Sequence, residues 1–242
     1  MIKRNPSDPT PLLVFGAHPD DIEFGCGGVI VREAQAGRRA HFVVCSRGEA
    51  ATNGTPAIRV REAERAAALL SATLEFIDLG GDAHLEVTAS NAIRLAAIIR
   101  RAQPQVVLAP TVTENQHPDH GRLGRLVRDA CRLARYGGLR ELRRHPPHTI
   151  GQLFFYSIAA SEPVSPAPIL VDLSPPGVVA RWTAAMQVHA SQLKTRRYVE
   201  MQLTRARLHG LSAGLEYAMP IYPADSIVVN DLSALDRGAR QF

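Results

Sequence analysis

Two clusters of imidazoles and carboxylates stand about a hundred residues apart, His18-Pro19-Asp20-Asp21 and His117-Pro118-Asp119-His120. A divalent metal binds neutral imidazole and ionised carboxylate, and a catalytic zinc uses three such ligands while leaving one position for water. The first cluster offers His18, Asp20 and Asp21; the second offers His117 and His120. If His18, Asp21 and His120 take the metal, Asp20 is left beside the water, where a carboxylate acts as general base and hydroxide is delivered to a carbonyl. His117, one turn from His120, then faces the developing oxyanion or the leaving amine, and Asp119 is placed to orient an imidazole. Any one of these residues alone reads as a loop or capping residue. Two dense clusters on one rim read as a metal-dependent hydrolytic site.

The rest of the chain must bring the clusters together. Apolar runs at Leu12 to Ala17, Phe42 to Cys45, Leu74 to Leu79 and Val106 to Ala109 read as strands. Between them Ile22 to Ala36, Ala57 to Leu70 and Ala89 to Arg101 read as helices, the second opened by Thr55 as cap with Pro56 in the first turn. A fourth helix is expected from Gly121 to Arg135. Beyond it, Leu153 to Tyr156 and Ile169 to Val171 read as strands, Pro175 to His209 as mostly helical, and Ile227 to Val229 as an added edge strand. This alternation predicts an α/β fold, a Rossmann-like and mostly parallel sheet with helices on both faces and a C-terminal elaboration. In such a sheet, ligands bind where loops leave the carboxyl ends of the strands, which is where both clusters fall. No linker-like composition shift is visible, so residues 1–242 are read as one domain.

Composition narrows the function classes. The 242 residues are 45% hydrophobic and 21% charged, in the globular range, and no stretch reaches the roughly 18 apolar residues of a membrane helix. Met1 to Pro6 lacks the apolar segment of a signal peptide, so a cytoplasmic protein is expected. Cys26, Cys45 and Cys131 are odd in number and far apart, which reads as reduced, buried thiols. The net charge is +5, and Arg122, Arg125, Arg128, Arg132 and Arg135 form a helical stripe. Only Tyr136 stands near it to stack on bases, so the stripe reads as a solvated face and no nucleic-acid partner is expected. Gly25, Gly27 and Gly28 lack dinucleotide-binding spacing and read as close helix packing under the site. His84 lies in a loop on the same rim, and His41 and His209 read as structural.

The residues Ala17-His18-Pro19-Asp20-Asp21 with His117-Pro118-Asp119-His120 resemble the PIG-L/LmbE-like family of zinc-dependent N-acetylglucosaminyl deacetylases. Ser46-Arg47-Gly48-Glu49, Gly54 to Arg59, His189-Ala190-Ser191-Gln192 and Gly214 to Ala218 resemble further motifs of that family. The likeness spans roughly residues 11 to 222 and is nearest to the branch that deacetylates N-acetylglucosaminyl-malate in bacillithiol biosynthesis. It implies zinc on His18, Asp21 and His120, Asp20 as general base, His117 as acid or oxyanion stabiliser paired with Asp119, and Arg59 as a substrate contact. It also implies an amino-sugar substrate and a homo-oligomer. Ferrous iron suits the same ligand types. Where that branch reads Tyr-Ala-Glu, this chain has Tyr217-Ala218-Met219, a departure expected to bear on the aglycone. Two alternatives of different class stand beside this one: an iron oxygenase using His18, Asp20 and His120, and a metal-dependent sugar-headgroup binder without catalysis. A deacylase of another N-acyl amino sugar is the nearer variant.

Overall fold

A computed structural model describes residues 11–113, 117–159, 167–232 and 238–239. Four β/α steps and a fifth strand come first: β1 Leu12–Gly16, α1 Asp21–Gln35, β2 Ala40–Val44, α2 Pro56–Leu69, β3 Thr73–Phe76, α3 Ala89–Ala102, β4 Val106–Pro110, α4 Pro118–Leu133 and β5 Gln152–Tyr156. The remainder adds β6 Ile169–Asp172, α5 Val178–Gln187, α6 Tyr198–Ser212 and β7 Ala218–Pro223. Seven strands make one sheet in the order β3-β2-β1-β4-β5-β7-β6. The first five pair in parallel, and β7 runs antiparallel between β5 and β6.

Burial explains the elements. All five residues of β1 are buried, as expected of a central parallel strand covered on both faces. One face packs on α1, α5 and α6 through Ile30, Trp182, Met186 and Ala206; the other packs on α3 and α4 through Leu95, Ile99, Leu123 and Val127. The Thr55 hydroxyl accepts the Ile58 N–H and Pro56 opens α2, as read from sequence. Cys26, Cys45 and Cys131 are buried free thiols.

Two expectations change, and a third, the mostly helical stretch from Pro175 to His209, holds and is resolved further. Helix α4 begins at Pro118 rather than Gly121, with His117 as its cap, because a proline in the first turn starts a helix at no hydrogen-bonding cost. The stretch from Pro175 to His209 is two helices, α5 and α6, separated by residues 188–197 with a short 3₁₀ turn at Gln192–Lys194. Ile227 to Val229 is not a strand: Val228 is 88% exposed and has no face to bury. Among the described residues the last strand is β7, whose Pro220 and Pro223 argue against a strand in sequence, although Ala218 to Tyr222 are all buried.

The glycines of α1 allow the close approach expected of them. A β-carbon on Gly25 would lie 2.3 Å from the Tyr156 ring, one on Gly27 2.7 Å from Trp182, and one on Gly28 2.5 Å from Leu173. Tyr156 cannot swing aside, since its hydroxyl donates to the Phe15 carbonyl at 2.7 Å. Gly25→Ala is therefore expected to cost about 1–3 kcal/mol by overpacking. A thermal melt checks this, and an unchanged Tm contradicts it.

Candidate active site

Neighbouring strands β1 and β4 leave the sheet centre in opposite directions, β1 leading on to β2 and β4 to β5. This reversal of strand order opens a crevice at their carboxyl ends, the place where open α/β sheets bind ligands. The loop after β1 carries His18, Asp20 and Asp21, and the start of α4, after β4, carries His117, Asp119 and His120. The topology thus joins the two clusters across the crevice.

His18, Asp21 and His120 are all buried and offer ligand atoms within 4.8 Å of one another. The Nε2 of His120 lies 3.1 Å from Asp21 Oδ1, and the Nδ1 of His18 lies 3.5 Å from Asp21 Oδ2. Asp21 Oδ2 also accepts the backbone N–H groups of Ala17 and His18 at 2.8 and 2.9 Å, which fixes the carboxylate in the loop. Burial alone would raise the Asp21 pKa, but His120 and His18 outweigh it and hold the carboxyl well below its usual range. Burial alone would lower the His18 pKa, but Asp21, Asp119 and Asp82 raise it well above the usual value. Two buried imidazoles and one ionised, buried carboxylate are the donor set of a metal with an open position, so these residues fit a zinc-type ion.

Asp20 stands beside this group in a rarely populated backbone conformation, φ 129° and ψ −25°. Such strain costs of order 1–3 kcal/mol and persists where surrounding structure imposes it. Burial pushes its carboxyl up to about 6, against the opposing pull of the Arg59 guanidinium. The Arg59 Nη2 lies 3.3 Å from Asp20 Oδ2 and donates to the Pro19 carbonyl at 2.9 Å. Arg59 therefore reaches the rim, as expected, but it is 4% exposed and clamps the strained loop. Gly48, at φ +74°, makes room for it, because a β-carbon there would meet the guanidinium at 2.0 Å.

His117 caps α4. Its Nδ1 accepts the Asp119 N–H at 3.3 Å, so the ring proton of the neutral form sits on Nε2, which faces the pocket. Burial and the neighbouring His18 lower its pKa, which keeps the ring neutral at pH 7. Asp119 is nearer to His18 than to His117: its Oδ2 lies 3.5 Å from His18 Nε2 and 3.9 Å from His117 Nδ1. The imidazole it orients most closely is therefore that of His18.

Asp82 is the residue that sequence reasoning did not assign. It follows Gly80 and Gly81, both at positive φ, and is 6% exposed. Its Oδ1 sits 3.1 Å from His18 Nε2 and its N–H donates to Glu49 at 3.1 Å, so the loop after β2 supports the loop after β3. A lone acid in a glycine loop carries no signal until the fold sets it against His18. His189, in one of the resembling motifs, is fully buried with its Nε2 3.5 Å from Glu23, and Glu62 accepts the Ser191 N–H and hydroxyl at 2.8 and 2.6 Å. These contacts tie the segment after α5 to α1 and α2. His84 is exposed in a separate surface hollow with Arg122 and Arg125, outside the metal cluster. Met219 is buried on β7 against Gly28, so its departure from the resembling pattern falls in the core and does not line the pocket.

A doubly wound sheet with a buried His/Asp donor set at its switch point defines a class of α/β proteins whose crevice could hold a metal. A family model described as PIG-L, GlcNAc-PI de-N-acetylase, matches residues 13–131, the stretch that contains both clusters. Over that stretch, just under half of the chain, the sequence is similar to the PIG-L family. Its fold matches a conserved protein of Thermus thermophilus with a TM-score of 0.81 and 32% identity, over 93% of this chain and 99% of the other. Among curated proteins it is 30% identical over 149 residues to 4-oxalmesaconate hydratase of Pseudomonas putida, covering 56% of this chain and 57% of that one. It is 27% identical over 166 residues to diacetylchitobiose deacetylase of Thermococcus kodakarensis, covering 62% and 61%. These matches span about three fifths of the two curated relatives. No helix among the described residues is long and apolar enough to cross a membrane.

Proposed function

We propose that the protein removes the N-acetyl group from an N-acetylglucosamine-type glycoside, with a zinc-type ion on His18, Asp21 and His120. The observation that carries this reading is Asp20, a strained and partly buried carboxylate with its pKa near 6, beside an open metal donor set. Zinc held there lowers the pKa of a bound water to about 7 and polarises the scissile carbonyl. Asp20 removes the proton of the attacking water as it adds to the acetyl carbon. The Nε2–H of His117 donates to the developing oxyanion. Asp20 then hands its proton to the leaving nitrogen as the C–N bond breaks, giving acetate and the free amine. Arg59 keeps Asp20 aimed and leaves Nη1, 3.9 Å from Asp82, on the pocket side.

The pocket favours a neutral, hydroxylated substrate at its base. Asp20, Asp21 and Asp82 line it, and Arg59 is the only arginine or lysine doing so among the described residues. Phe24, Ile158, Tyr198 and Met201 supply an apolar wall for the acetyl methyl and a sugar face. The hydratase relative favours a second reading, addition of water to an unsaturated polycarboxylate, but three lining carboxylates oppose such an anion. The N-acetylglucosaminyl-malate conjugate is the favoured substrate because its charged aglycone extends outward, toward exposed Lys194 and Arg196 beyond Tyr198. The amino-sugar substrate and a homo-oligomeric state belong to this proposal.

The test is amine release by zinc-loaded protein from N-acetylglucosaminyl-malate, N,N′-diacetylchitobiose and N-acetylglucosamine, with 4-oxalmesaconate hydration followed in parallel. Release from a glycoside is expected; hydration without any release overturns the reading. His120→Ala is expected to lose the tightly bound zinc and all turnover, and metal analysis showing one zinc still bound after dialysis contradicts the ligand assignment.

A further inference from the structure

Two glutamines of the C-terminal elaboration line the pocket and have no part in the chemistry above: Gln192, in the 3₁₀ turn after α5, and Gln202, on α6. The fold fixes which way each side-chain amide faces. Gln202 donates through Nε2 to the Ile158 carbonyl at 2.7 Å. A carbonyl only accepts, so the nitrogen must stand there and Oε1 is turned away from it. Gln192 is held twice, its Nε2 donating to the Asn53 carbonyl at 2.7 Å and to the Ser191 hydroxyl oxygen at 3.0 Å. That hydroxyl gives its own proton to Glu62 at 2.6 Å, so it too accepts from Gln192. Both Oε1 atoms are left without a hydrogen bond among the described residues, and neither is sealed in the interior. Gln202 is 4% exposed, and the void on its other side, toward Ala218 and Met219, has no room for a water, so its Oε1 opens on the pocket.

We propose that Gln192 and Gln202 are specificity residues, each accepting through Oε1 a hydrogen bond from one hydroxyl of the sugar. The inference rests on the glycoside reading and names what selects the substrate within it. Oriented, unpaired polar groups in a largely apolar hollow are what fix a ligand's position. These two add neutral acceptors to a pocket whose carboxylates, Asp20, Asp21 and Asp82, also accept. Arg59 is turned to Pro19 and Asp20, so the ligand itself must bring donors. A pyranose does so: its face suits the apolar wall, and its hydroxyls project from the edge of the ring. An ionised polycarboxylate brings acceptors and leaves both glutamine oxygens unpaired. A site built for a hydroxyl rejects the analogue that lacks it for the same reason.

Calorimetric binding of the methyl glycoside of N-acetylglucosamine, and of analogues each lacking a single hydroxyl, to zinc-loaded Asp20→Asn protein tests this without turnover. Two analogues are expected to bind about tenfold more weakly than the parent sugar, the scale of one neutral hydrogen bond. Gln192→Met and Gln202→Met, added to that protein, keep the side-chain length and remove the acceptor. Each is expected to bind the parent about tenfold more weakly and to lose discrimination against one of the two analogues, an effect that a merely structural role would not produce. The proposal is overturned if the glycoside does not bind, if no analogue binds more weakly than the parent, or if both methionine variants discriminate as before. The first two of these results require no glutamine variant to fold. The expected pattern in a protein that releases no amine leaves the glutamines' role standing and refutes the deacetylase reading; amine release without discrimination does the reverse.

Discussion

Asp20→Asn is expected to reduce kcat by about 10²- to 10⁴-fold, the usual contribution of a positioned general base, while the protein keeps one tightly bound zinc. Asparagine has nearly the same shape and still accepts from Arg59, but it cannot take a proton. The clamp survives the change, because Arg59 Nη2 also holds the Pro19 carbonyl and Nη1 faces Asp82. The ligands survive as well, since Asp21 is fixed by the N–H groups of Ala17 and His18 rather than by Asp20. Steady-state kinetics beside metal analysis separate the outcomes. Full function in the variant would favour a metal-dependent sugar binder, and loss of zinc would place Asp20 among the ligands.

The parallel β/α core was readable because its signals are local. An apolar run such as Leu12 to Gly16 has one use in a doubly wound sheet, and Thr55-Pro56 announces a helix start. Residues joined by chain order on the rim, His18 to Asp21 and His117 to His120, could be paired once the strand alternation was seen. What sequence left out depends on long-range packing. Asp82 acquires meaning only from its approach to His18, and His189 only from Glu23. Strand β7 was hidden by its two prolines, and Ile227 to Val229 mimicked a strand because apolar content alone does not reveal whether a sheet edge is there to receive it.

The stability of the site reaches back to the far end of α4, where Arg100→Met is expected to destabilise the protein by at least about 3 kcal/mol. Arg100 on α3 is 2% exposed, and its guanidinium donates to four carbonyls: Ala134 at 2.9 Å, Leu142 at 2.8 Å, His145 at 3.1 Å and Tyr136 at 2.7 Å. Ala134 is the C-terminal cap of α4, so the cation also meets the negative end of that helix dipole. Hydrogen bonds to a charged group contribute about 1.5–3 kcal/mol each, although the carbonyls of Ala134, Tyr136 and Leu142 keep the backbone N–H groups of His148, Leu139 and His145 as donors. Water and relaxation recover part of the loss, and removing a buried cation recovers more, which keeps the expected net well below the sum. For a chain of this size the change corresponds to a fall in Tm of roughly 6 to 12 °C. Because α4 presents His117, Asp119 and His120 from its other end, loosening its anchor is also expected to weaken zinc retention at temperatures below the melt. A Tm within about 2 °C of wild type, the scale of an ordinary surface substitution, would show that the backbone donors already on these carbonyls hold the segment without the guanidinium.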